Sequence, residues 1–246
     1  SFLAVIVSLL MMSQLPDRRR KEVGPLAQHL AAGFRYVVGH RIILVLTSLV
    51  AISAFLSMPY STLMPVVADD ILKGSAAPVV AFLCEGEHAL MRCKTPEALP
   101  LGMLLTAVGV GAVIGALGVA SLPGDARRGR WLTAGNLLFP ALLLAFATSR
   151  SFVVSLLLLA GIGLSFVAQN SLANTLIQLM VPDEVRGRVM SLYTLTFQVS
   201  MRAGGFQAGL VADGFGPTIS IAIGAVISLA YGVFVAIRYP RLRNAA

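Results

Sequence analysis

An all-α polytopic membrane protein, a bundle of six transmembrane helices, is the fold class this sequence predicts. Three observations lead there. The chain is 57% hydrophobic and only 12% charged, with a mean hydropathy of +0.84, a composition no soluble domain of 246 residues shows. Six apolar stretches of spanning length recur along it, with no strand-period alternation, and lipid admits only helices or closed barrels. The basic residues fall into alternate connections, as the positive-inside rule requires.

Ser1–Met12 is apolar, but as a helix it reaches only about 18 Å, short of a bilayer core. With no initiator Met and no basic segment before it, it reads as the end of a truncated transmembrane helix (residues 1–12) rather than a signal peptide. Residues 13–40 form a long cytoplasmic linker. Its run Asp17–Lys21 suits a solvated loop beside anionic lipid. Leu26, Leu30, Phe34, Val37 and Val38 then recur at helical spacing, giving an amphipathic interfacial helix.

Residues 41–238 hold the six spans: Ile42–Ala68, Leu99–Leu122, Trp131–Thr148, Phe152–Gln178, Val189–Ala212 and Thr218–Ile237. The first carries Pro59 and Pro65 around Tyr60, which predicts a kink. Asp69–Ala98 is an outer connection holding Cys84 and Cys93. That C-x8-C pair can close a disulfide in an oxidising compartment or remain two thiols. His88 with Glu85 and Glu87 lies between them without a zinc-like spacing, so no metal site and no cofactor are expected.

In the second span Gly111-x-x-x-Gly115 lets a neighbouring helix approach closely. Trp131–Thr148 and Thr218–Ile237 carry few polar residues and are expected to face lipid. Phe152–Gln178 turns polar halfway: Asn170, Asn174 and Gln178 share one face, either bonding another helix or lining a watery path. In Val189–Ala212, Ser191, Thr194, Gln198, Arg202, Gly205 and Gly209 recur on one face, with the two glycines as packing positions. A charge at the depth of Arg202 is expensive, so it either pairs architecturally or serves a wet cavity. Residues 239–246 are a cytoplasmic tail. With that tail inside, fourteen of the nineteen Lys and Arg residues lie on the cytoplasmic side, so the net charge of +8 is topological and no nucleic-acid partner is expected.

Before the fifth span stands Pro182-Asp-Glu-Val-Arg186-Gly187-Arg188-Val-Met-Ser-Leu-Tyr193, and after it Ala212-Asp-Gly-Phe-Gly-Pro217. Pro182 with Asp183 and Glu184 is a helix start. The run resembles the segment around the eleventh helix of major facilitator superfamily transporters, most closely the bacterial branch of enterobactin-exporter-like and macrolide-efflux-like proteins. Pro123–Arg130 is a looser echo of that family's Gly/Asp/Arg loop.

The resemblance implies the C-terminal half of a twelve-helix transporter in the bacterial inner membrane, with a cytoplasmic C-terminus. It implies alternating access and proton-coupled efflux, as an antiporter, of a drug-like compound or siderophore. The partner would be the N-terminal six-helix half or a second copy. The helices that face the cavity in that family would place Tyr60, Asn170, Asn174, Gln198 and Arg202 on the substrate path, while Met201–Gly204 departs from the family pattern. Two other classes compete. A truncated half with no transport of its own predicts the same helices. A membrane-embedded enzyme needs an acid, base or metal cluster, and His29, His40 and His88 are scattered.

Overall fold

The structure, a computed structural model, describes residues 26–84, 95–123 and 128–240. These residues are helical almost throughout, and no strand occurs among them. Residues 1–25, which include the short apolar start and the whole basic run Asp17–Lys21, lie outside the described part, as do Cys93, His88 and residues 241–246.

Helix α1 (Leu26–Gly39) is the amphipathic segment of the linker. It turns at His40, whose Nδ1 lies 2.8 Å from the Tyr36 carbonyl and whose ring stacks on Tyr36. The first span then runs as one stretch from Arg41 to Ile71: helix α2 (Arg41–Ile52), a π turn at Ser53–Ser57, helix α3 (Tyr60–Val66) and a second π turn at Val67–Ile71. The expected kink is local. Pro59 and Pro65 have no N–H to return to Phe55 and Ser61, and the ladder widens beside them: Met58 N–H bonds to Ser53 O and Leu72 N–H to Val67 O, both at 3.0 Å.

The stretch expected as an outer connection begins as helix. The first span continues to Ile71, and α4 (Lys73–Cys84) follows at once. At 12 residues it is too short to cross a bilayer. Ser75 fixes it by accepting the free N–H of Phe152, at the start of a later helix, at 3.1 Å, a side-chain cap supplied by another element. A single 3-10 turn, Pro96–Ala98, leads into α5 (Leu99–Ala120), followed by α6 (Arg128–Thr148), α7 (Phe152–Met180), α8 (Asp183–Phe215) and α9 (Pro217–Arg238). Between α8 and α9 the chain reverses at Gly216, at φ 88. Only glycine takes that turn without strain, and Pro217 starts the next helix.

Among the described residues, five helical stretches are both long and apolar enough to cross a membrane: Arg41–Ile71, Pro96–Ala120, Arg128–Thr148, Phe152–Met180 and Pro217–Arg238. The sixth expected span, α8, is the longest helix at 33 residues, about 50 Å. It is not among the five, because polar residues recur along its middle.

Two apolar cores sit one above the other in the bundle. One gathers Leu63, Met64, Leu104, Phe139, Phe146, Phe152 and Leu159; the other gathers Leu46, Leu132, Leu172, Leu176, Val189 and Val235. Between them in sequence, on four of these stretches, come buried polar side chains: Ser53 and Ser57 on the first span, Asn136 on α6, Ser165 and Gln169 on α7, and Ser228 on α9. Ser57 Oγ donates to Ser228 Oγ at 2.8 Å. Hydrogen bonds of this kind join helices where apolar contact alone has no preference over lipid.

One expectation holds for one face alone. Helix α6 lies between α7 and α9, with Phe139 and Leu143 fully buried, while Trp131, Ala134, Leu138, Ala141 and Ala145 stay exposed along its other face. The peripheral helix is α5, only 17% of whose apolar window is buried in the bundle. Few polar residues make a helix apolar; they do not choose which neighbour covers it.

Candidate functional site

The start of α8 is organised by its own sequence. Asp183 and Glu184 occupy the first turn, where carboxylates meet the positive end of the helix. Arg186 folds back on this turn, with Nη1 2.6 Å from Asp183 and Nη2 donating to Val181 O at 3.3 Å. Gly187 and Arg188 are exposed. The α1 helix packs on this same turn, since a Cβ at Gly33 would meet Arg188 O at 2.9 Å. The Pro182–Arg188 run therefore couples the linker helix to the mouth of α8.

Further along α8, burial separates two faces. Val189, Tyr193, Gly204 and Ala208 are buried against the bundle. Ser191, Thr194, Gln198 and Arg202 are exposed, and so are Leu195, Val199, Phe206 and Leu210. The polar stripe predicted from spacing thus lies on the open side of α8, and Arg202 has no ion pair among the described residues. It stands between Tyr193, which belongs to one apolar core, and Ala208, which belongs to the other.

The α7 residues are placed differently. Asn170 is half-buried, and its Oδ1 accepts the Tyr193 hydroxyl at 2.7 Å, tying α7 to the inner face of α8. Asn174 is half-buried and accepts from Gln178 one turn on. Asn170 is therefore engaged between helices, whereas Asn174 bonds along its own helix to an exposed side chain. Tyr60 is 5% exposed and packed in the apolar core, so the structure does not bring it to the face that carries Gln198 and Arg202.

The glycines divide by what stands opposite them. A Cβ at Gly111 would lie 1.8 Å from Ala160 O and one at Gly115 2.5 Å from Leu164 O, so α5 and α7 touch backbone to backbone. On α8 the packing role expected of Gly205 and Gly209 falls to Gly204. Gly209 has nothing within 4 Å and Gly205 only Thr62 Oγ1 at 3.6 Å, whereas a Cβ at Gly204 would meet Phe55 O at 2.0 Å. That carbonyl is the one Pro59 leaves without its helical donor, and Gly204 lets α8 close over it. Gly224 of α9 does the same for Leu56 O, at 2.0 Å. A proline at i+4 marks Phe55 O in the sequence, but its partner helix was not legible there.

At the outer end, Lys73 pairs with Asp69 at 3.1 Å. The hydrogen bond and charge of Asp69 hold the ammonium above its usual range. Cys84 is disulfide-bonded, and Cys93 lies outside the described residues. No group of three His, Cys, Asp or Glu residues that could hold a metal occurs among the described residues.

A family model described as "Transmembrane secretion effector" matches residues 90–245. The 4-hydroxybenzoate transporter PcaK of Pseudomonas aeruginosa is 28% identical over 142 residues, which is 57% of this chain and 31% of the relative. The match thus spans about a third of that curated protein's length. No solved structure matches the chain.

Proposed function

Since this chain belongs to the transmembrane secretion effector family, within the major facilitator superfamily, we propose that it forms one six-helix half of an alternating-access transporter for a small molecule. The observation that carries this reading is the open face of α8. A helix of spanning length displays Ser191, Thr194, Gln198 and Arg202 on the side the bundle leaves uncovered. An arginine at mid-helix costs about 2.5–3.5 kcal/mol when it faces hydrocarbon on insertion scales, so this face suits a wet cavity shared with a second bundle. The other bundle would be the N-terminal half, or a second copy of this chain.

In this reading Gln198 and Arg202 meet the substrate, with Arg202 attracting its negative or polar group. Asn170 lies one layer behind, bonded to Tyr193 of α8, and Asn174 stands one turn further along α7. The similarity to a protein named for 4-hydroxybenzoate, a carboxylate, favours an anionic group over a neutral one. Proton-coupled efflux from a bacterial inner membrane, with the C-terminus cytoplasmic, completes the proposal. No acid interrupts the middle of a described helix, so the proton carrier would belong to the other half.

Transport by vesicles carrying the complete transporter tests it. Arg202→Ala removes a charge-assisted hydrogen bond worth about 1.5–3 kcal/mol, so kcat/KM should fall about ten- to a hundredfold at equal protein in the membrane, with Arg202→Lys partly restoring it. Undiminished transport by Arg202→Ala refutes the role of Arg202. Loss of the protein from the membrane makes the arginine architectural.

A further inference from the structure

We propose that the cleft between α5 and α6 binds one anionic phospholipid from the leaflet that the α5–α6 connection faces. These two helices follow one another in the chain, yet both pack on α7 rather than on each other. A cleft of about 470 Å³ is left between them, floored by Leu164, Ala168 and Leu172 of α7 and walled by Gly118, Trp131 and Leu138. No residue of α8 lines it, so it depends on none of the stripe.

The lining selects the occupant. Its hydroxyls are already engaged: Ser121 donates to Gly118 O at 2.9 Å and Ser165 to Gly161 O at 2.7 Å, each within its own helix. A polar solute would find almost nothing to bond, whereas an acyl chain needs only apolar contact. At Gly118 an added Cβ would meet nothing within 4 Å, so there is room for a chain along the α5 wall. Trp131, 57% exposed at the helix start, suits the headgroup boundary, where tryptophan concentrates.

The rim supplies the charge. Arg128 stands one turn before Trp131, on the same face of α6; it is half-buried and has no ion pair among the described residues. Arg130 is exposed beside it. The first turn of α6 holds no acid, so two arginines sit at the positive end of a 21-residue helix, an arrangement that repels itself. A phosphodiester there offsets both arginines and the helix end while its chain fills the cleft. Basic pockets between membrane helices bind anionic headgroups for this reason.

The test is native mass spectrometry of the protein purified in mild detergent and incubated with phosphatidylglycerol or phosphatidylcholine. One phosphatidylglycerol should be retained in preference to phosphatidylcholine. Arg128→Gln should lower that retention about fivefold, the effect of one basic residue near an anionic headgroup, and Gly118→Leu should lower retention of both lipids by filling the cleft. The thermal midpoint of lipid-free protein serves as the folding control for both variants. Equal retention of the two lipids, or retention unchanged in both variants, overturns the proposal. So does a dimer that Gly118→Leu dissociates, which would assign the cleft to a second copy.

Discussion

Replacing Gly111 with alanine should damage the bundle more than the same change two residues earlier. The added Cβ would lie 1.8 Å from Ala160 O, while real contacts do not fall below 3.0 Å, so α5 must retreat from α7 by about 1.2 Å along that direction. The opposing atom is backbone, so no rotamer change relieves it, and trimming Ala160 to glycine would not help. Overpacking of this kind costs about 1–3 kcal/mol. At Gly109 nothing lies within 4 Å, and alanine there should gain up to about 1 kcal/mol from helix propensity. At Gly161 the obstacle is Leu142 Cδ1 at 2.7 Å, the end of a flexible side chain that can turn away, so Gly161→Ala should fall between. Denaturant unfolding in detergent, followed by circular dichroism, should rank Gly109→Ala above Gly161→Ala above Gly111→Ala, with the extremes about 2–4 kcal/mol apart. Equal stabilities for Gly109→Ala and Gly111→Ala would refute the argument that α5 and α7 meet backbone to backbone.

Two further outcomes rest on the polar layer. Ser57→Ala strands the Ser228 hydroxyl in the interior and should cost about 1–3 kcal/mol. The double change Ser57→Ala with Ser228→Ala should cost less than the single one, and a thermal midpoint lower in the double variant would contradict the pairing. Tyr193→Phe deletes the bond to Asn170 and should remove about 1 kcal/mol of stability while transport per molecule stays within about twofold, well inside the span of one charge-assisted bond. A larger transport loss at unchanged stability would move Asn170 and Tyr193 onto the substrate path.

The composition and the spacing of apolar runs suffice for the helical membrane fold. The ends of the expected spans lie close to those of α5, α6, α7 and α9, because burial in lipid demands an uninterrupted apolar stretch whatever surrounds it. The polar stripe of α8 was equally legible, since a 3.6-residue period puts Thr194, Gln198 and Arg202 on one face in any context. Helix α4 was not, because the acids at Asp69 and Asp70 mark a membrane exit, not the continuation of helix beyond it.

Which face of each helix meets which neighbour was decided only in three dimensions. Sequence marked α5 as a packing helix and α6 as lipid-facing; the fold presses one glycine face of α5 on α7 and leaves the rest of that helix outside, and it buries one face of α6 between α7 and α9 while the other stays exposed. It also sent Tyr60 into the core and gave the close approach on α8 to Gly204 rather than to Gly205 and Gly209. The physical reason is common to these cases. In a bilayer the medium is as apolar as the helices, so hydropathy states that a residue is in the membrane without stating what it touches. That choice falls to shape: a glycine opposite a carbonyl, a proline that frees one, and a serine that finds another serine.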